Sequence, residues 1–305
     1  MTSFSKLYDN WRKNFFPPSK NDFDWRMDTV FQFMTIVNER QRQTAGYAAR
    51  TEIGNILNCL AGDPKRLENY GFKVYSQSDE DGILEEIFRR LGIENGVFCE
   101  IGVENGLECN TLYLIHKGWK GAWIEGNVAQ KEKIANKFGS VLGKRLELIT
   151  AFVTRENINE LLNKISFSGS AIDFLSIDID GNDIYLLEAI DFQPKVICIE
   201  YNAKFPASLK KQQTYNPDHV WRGTDYFGAS LRAIADVAET INYTLVGTNI
   251  TGTNAFLVRK DLCGTLFTEA GNVDHLYNPP RYWLIADHYQ HVGHAPDFGG
   301  YVDLA

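Results

Sequence analysis

The sequence predicts an α/β protein whose mostly parallel sheet, wrapped by helices on both faces, closes in an antiparallel hairpin. Three observations predict it. Val97–Thr111, VFCEIGVENGLECNT, reads as a short buried strand, a glycine turn and the start of a helix. From there to Tyr201, strand-length apolar runs alternate with helical patterns, as crossovers between parallel strands require. The end differs. Tyr243–Gly247 and Ala255–Arg259 are strand runs joined by the turn-rich Thr248–Asn254, too short for a crossover, so they pair as a hairpin.

Residues 1–70 read as a helical N-terminal extension that caps the domain or forms a dimer interface. Over Trp25–Gln43 the apolar positions 27, 30, 31, 33, 34, 36 and 37 occupy much of a helix surface and demand cover. Ile53, Ile56, Leu57 and Leu60 keep helical spacing until Gly62-Asp63-Pro64 stops the run. Tyr75–Gly82, YSQSDEDG, leads into a helix with Ile83, Leu84, Ile87, Phe88 and Leu91 on one face. Its serines and acids suit a helix start, but capping does not call for Tyr75 or Gln77.

The Asn95-Gly96 turn fixes where the first strand begins, and the second is Lys120–Glu125. Helix Val128–Phe138, strand Leu146–Val153, helix Ile158–Ile165 and strand Ala171–Asp178 follow. Helix Ile184–Ile190, strand Lys195–Tyr201 and helix Ser230–Glu239 complete the alternation. Residues 71–260 form the α/β domain, and 261–305 a tail packing on it.

A chain of 305 residues with 44% hydrophobic content can bury a large core. Its net charge of −8 argues against generic binding to nucleic acid or to an anionic membrane. The N-terminus lacks an apolar run of signal-peptide length, and none approaches a membrane span. Five cysteines without a C-x-x-C, two of them in apolar strands, fit a reduced, cytoplasmic protein.

Gly102 and Gly106 permit unusual torsions and let a ligand lie against bare main chain, with helix-start N–H groups facing it. Glu125, 19 residues past Gly106, ends the second strand about where such a fold holds a ribose hydroxyl. A nucleoside-bearing cofactor is therefore expected. Pyrophosphate would favour G-x-G-x-x-G, but Glu104 stands in the turn and would repel it. A cofactor with an ammonium group, such as S-adenosylmethionine, suits that turn better. The hairpin ending is likewise the arrangement of Rossmann-like class I methyltransferases.

YSQSDEDGILEEIF, FCEIGVENGLECNT, WKGAWIEGN, FLSIDIDGND, VICIEYN, YFGASL and LVG…NAFLVR, in order across roughly residues 70–260, resemble the FkbM-type S-adenosylmethionine-dependent methyltransferases. The likeness is greatest to bacterial members of surface-glycan clusters such as those for capsule polysaccharide. It implies O-methylation of a sugar or sugar-containing product. By position it implies that Glu100, Gly102 and Gly106 border the methionine end of the cofactor, that Glu125 takes the ribose and that Asp178 also contacts the cofactor. Ala151 and Phe152 would flank adenine, and Tyr75, Ser76 and Gln77 would lie near cofactor or substrate.

Ser176–Asp183, SIDIDGND, ends the fourth strand, and Glu200 and Asn202 end the fifth. Neighbouring strands lie about 4.8 Å apart, so Asp178 and Glu200 can share a site. With Asn202, and with Asp180 two residues past Asp178, they would suit Mg²⁺ or Mn²⁺, which would orient an acceptor hydroxyl and lower its pKa. Alternatively Asp178 or Asp180 is a metal-free general base, or the acids merely cap helices.

His219, in the long loop Ala203–Tyr226, is the second choice of base. In the same loop Lys204, Lys210, Lys211 and Arg222, beside Tyr215 and Trp221, would grip the phosphates of a nucleotide-activated sugar, or simply face solvent. His288, His291 and His294 come together only if the tail is helical. A non-sugar small-molecule acceptor and a noncatalytic interaction protein remain as alternatives, and a homo-oligomer would give the N-terminal helices a role.

Overall fold

A computed structural model describes residues 20–169, 171–284 and 297–299. The chain divides into two units, residues 1–48 and 49–305. Helix α1, Lys20–Leu60, is one unbroken helix of 41 residues. The cover expected over its first half is not found among the described residues: Phe31, Phe33, Met34 and Ile36 are all more than half exposed. Its last turns behave differently, since Ala49 and Ile53 pack with Ile250 and Leu284 in a small core of their own.

The second unit contains α2 (Glu80–Leu91), β1 (Val97–Ile101), α3 (Leu112–His116), β2 (Lys120–Glu125), α4 (Val128–Phe138) and β3 (Leu146–Thr150). It continues with α5 (Ile158–Asn163), β4 (Phe174–Ile177), α6 (Asp183–Ala189), β5 (Val196–Glu200) and α7 (Leu231–Thr240). The hairpin β6 (Tyr243–Thr248) and β7 (Asn254–Arg259) and the short helices α8 (Lys260–Cys263) and α9 (Val273–Leu276) follow. The strands form one sheet in the order β3-β2-β1-β4-β5-β7-β6. β1 to β5 are parallel, and β7 runs antiparallel to both β5 and β6. The expected fold class, a Rossmann-like sheet ending in an antiparallel hairpin, is the one observed.

Strand periodicity sorts the core. Val97, Cys99 and Ile101 of β1 join Leu175, Ile177, Ile197 and Ile199 beneath α5, α6 and α7. Phe98 points the other way, with Trp123, Phe174 and Cys198, against α2, α3 and α4. A shift of one residue in any central strand would exchange these two sets, so burial on both faces fixes the register.

β1 lies between β2 and β4, so the chain leaves it toward β2 and later returns on its other side. Such a reversal opens a crevice beyond the C-terminal strand ends. No described helix is long and apolar enough to cross a membrane.

Candidate functional site

A cleft of about 850 Å³ opens at that reversal. Its floor is the turn after β1. Gly102 has φ +86°, and a Cβ there would overlap the Asp178 carbonyl oxygen. Glycine is therefore required by the close approach of the β1 and β4 ends. Glu104 also takes a left-handed conformation, φ +49°, which is strained for a residue with a side chain. Its N–H donates to Glu125 Oε2 at 2.7 Å, and Asn127 N–H donates to Glu125 Oε1 at 2.6 Å. The carboxylate ending β2 is thus held from both sides and still borders the cleft. Ala151, Phe152 and Gln130 line the same end, and Gln130 Oε1 is buried with no partner among the described residues.

Glu100 also borders the cleft but has structural work. Its carboxylate accepts from the N–H groups of Asn110 and Thr111, at 2.8 and 3.0 Å, and from the Thr111 hydroxyl at 2.5 Å. The donors expected to face a ligand at the helix start are therefore taken up by Glu100, and α3 begins only at Leu112. Burial raises the Glu100 pKa, against the pull of those hydrogen bonds. Gly106 is off the cleft; its missing side chain makes room for Trp123 and Phe138.

Of the three residues expected from the Tyr75 run, Gln77 lines the cleft and Tyr75 and Ser76 do not. The Tyr75 ring stacks on His116 at 5.4 Å. Ser76 is buried in a turn organised by Asp81, whose Oδ2 accepts the N–H groups of Val74, Tyr75 and Ser76.

On the opposite side the carboxylates of Asp178, Asp180 and Glu200 bring one oxygen each within 4.8 Å of one another. Asp180 reaches them through a left-handed backbone, φ +55°. Asp183 holds that turn by accepting the N–H groups of Ile179 and Gly181, both at 2.8 Å. Glu200 ends β5 with Oε2 buried and unpartnered among the described residues.

Burial, reinforced by neighbouring acids, raises the pKa of Asp178 and of Glu200 well above the ordinary carboxylate range. Asp180 is raised by burial and pulled back by His219. Such a cluster can hold a proton, take one from a ligand, or surround a cation.

Asn202 does not join it. β5 stops at Glu200, and Asn202 turns inward, its Nδ2 donating to the carbonyls of Asp225 and Phe227 at 3.0 and 2.9 Å. Asp180, two residues past Asp178, is the cluster's third acid as expected.

His219 borders the cleft, its Nε2 donating to the Asp180 carbonyl at 3.2 Å. Val220, Trp221 and Phe227 continue that wall. The cations of the loop are elsewhere. Lys204 pairs with Asp225 and Lys210 with Asp236, while Lys211 and Arg222 are exposed; none of the four lines the cleft. Tyr215 faces Glu156 and Arg155 instead.

Sequence reasoning missed Asn110, Asn127, Gln130, Thr253, Asn254 and Tyr282, all of which line the cleft. Asn127, two residues past a strand-end acid, was legible as a helix cap. The hairpin and tail residues carried no local signal. His288, His291 and His294 lie outside the described residues.

No protein-family model matches the sequence, and no curated protein matches it. Among solved structures the chain is similar to the O-methyltransferase TomG of Streptomyces achromogenes, solved with S-adenosylmethionine. The two share 16% identity over 59% of this chain and 78% of that one, with a TM-score of 0.36. An O-methyltransferase family protein from Burkholderia thailandensis is similar at 12% identity, TM-score 0.37, over 58% of this chain and 54% of its own. A SAM-dependent methyltransferase from Aquifex aeolicus is similar at 14% identity, TM-score 0.33, over 68% and 95%.

Proposed function

We propose that this protein is an S-adenosylmethionine-dependent O-methyltransferase of the FkbM type, acting on a sugar hydroxyl. One observation carries the reading. A strand-end carboxylate, Glu125, and a half-buried acid cluster, Asp178, Asp180 and Glu200, face each other across a cleft floored by bare main chain at Gly102. The first suits a ribose and the second an acceptor hydroxyl. The sequence blocks of the FkbM type supply the sugar.

The sulfonium methyl of S-adenosylmethionine is electrophilic enough for attack by an activated oxygen. The chain's part is to hold and to deprotonate. Glu125 retains lone pairs for two ribose hydroxyls, and Phe152, half exposed, presents a ring face to a base. Asp178, at the end of β4 on the cleft, is placed to take the acceptor proton. With no lysine or arginine among the described residues that line the cleft, an uncharged sugar fits better than its nucleotide-activated form.

The same three acids fit Mg²⁺ or Mn²⁺, since hard oxygens converge and Glu200 Oε2 has no partner among the described residues. Bound there, the ion would polarise the acceptor hydroxyl. Exhaustive treatment with EDTA is then expected to abolish turnover and Mn²⁺ or Mg²⁺ to restore it. Full turnover after chelation would leave Asp178 or Asp180 as unaided base, with His219 next.

Calorimetric titration with S-adenosylmethionine tests the cofactor directly. Glu125→Ala is expected to weaken that binding by about 1.5–3 kcal/mol, the range for hydrogen bonds to a charged group. A folded variant with unchanged affinity would remove Glu125 from the site.

A further inference from the structure

Residues 27–44 of α1 are all exposed, and the large apolar ones among them are between 37% and 66% exposed. Their order is that of a packing seam. Met27, Val30, Met34 and Val37 follow one another by three, four and three residues, which sets them along one line of a helix. Phe31 and Phe33 fall on either side of that line, and Ile36 alone lies away from it. Asp28, Gln32, Thr35 and Glu39 take the far side. After Val37 the same positions hold Gln41 and Thr44, so the seam ends there.

The six side chains of the seam and its flanks leave roughly 600 Å² of apolar surface in water, at the upper limit for a patch on a monomer. One partner brings about 800 Å² to an interface of standard size, so this face with its polar borders is large enough for one. The last turns of α1 are already committed, since Ala49 and Ile53 pack with Ile250 and Leu284. The first half is what remains to pair.

Charge narrows the choice of partner. Between residues 27 and 44, Asp28 and Glu39 balance Arg40 and Arg42. A helix that lies on an anionic bilayer carries an excess of lysine or arginine on its polar face, and this one has no such excess. The same balance removes the net repulsion that would oppose an identical helix. A three-four seam is also self-complementary, because each of its residues packs into a hole formed by the same residue types of a copy.

We propose that α1 dimerises the protein, two copies packing their Met27–Val37 seams together as a two-stranded coil. Phe31 and Phe33 close the two edges of that seam. Ile36 stays outside as a single exposed apolar residue of the ordinary kind. The inference is independent of the methyl-transfer reading.

Sedimentation velocity on the full-length protein across a concentration range tests it, and twice the mass of one chain is expected. Val30→Glu with Met34→Glu is expected to give the mass of one chain throughout, and so is Val30→Lys with Met34→Lys. Mixing the two variants should restore a dimer, which shows that both fold and that the seams meet, since 30 and 34 face each other or themselves in either orientation. Gln32→Glu with Thr35→Glu, on the far side of the same helix, should remain dimeric. A single-chain mass for the parent, whether the seam is covered by its own chain or binds phosphatidylglycerol vesicles instead, would overturn the proposal. So would an assembly of more than two copies, a dimer that survives both seam variants, or a mixture that stays monomeric.

Discussion

Replacing Asp178 with asparagine is expected to lower kcat by about 10²–10⁴, the usual contribution of a general base, while leaving S-adenosylmethionine affinity near that of the parent. The substitution keeps the shape of the side chain and removes its capacity to take a proton, along with the charge it would bring to a cation. Asp178 follows directly on β4, and no hydrogen bond of its carboxylate is needed to close a helix, because Asp183 holds the turn into α6. A purely structural role therefore predicts little loss. Single-turnover methyl transfer and calorimetry on the same preparation separate the outcomes, and near-parental turnover would remove Asp178 from the chemistry.

Gly102→Ala is expected to destabilise the fold by about 3 kcal/mol or more, with a fall in Tm of roughly 10 °C. Two costs coincide there. The residue sits at φ +86°, and the added methyl would run into the Asp178 carbonyl, which cannot move without parting β1 from β4. Gly143→Ala is the control. Its φ of +72° carries the same torsional penalty, but nothing lies within 4 Å of the added atom. About 1 kcal/mol is expected from that position, the cost of left-handed backbone alone. Equal melting temperatures for the two variants would show that the close approach is not what fixes Gly102.

The residues that the sequence by itself determined are those whose positions follow from periodicity. Apolar runs of strand length separated by helical patterns leave few topologies open, and a parallel sheet sends every strand's C-terminal end to one edge. Glu125, Asp178 and Glu200 end their strands or follow directly on them, so their convergence was legible before any coordinates. The hairpin was legible for a similar reason, since the segment between β6 and β7 is too short for a crossover.

Tertiary structure decided everything that depends on where a strand stops and what a loop packs against. Asn202 was placed beside Glu200 by extending β5 two residues further, but the strand ends at Glu200 and Asn202 secures the chain at Asp225 and Phe227. Asp180 does join Asp178 and Glu200, through a left-handed residue that turns the chain after β4 back toward the cleft rather than by continuing the strand. Lys204 and Lys210 were read from composition, which is silent about Asp225 and Asp236, the acids that claim them. Asn254 lines the cleft with its amide held by Glu80, a contact across 174 positions. Local sequence encodes local conformation, whereas the direction in which a buried amide turns is set by whichever distant group packs against it.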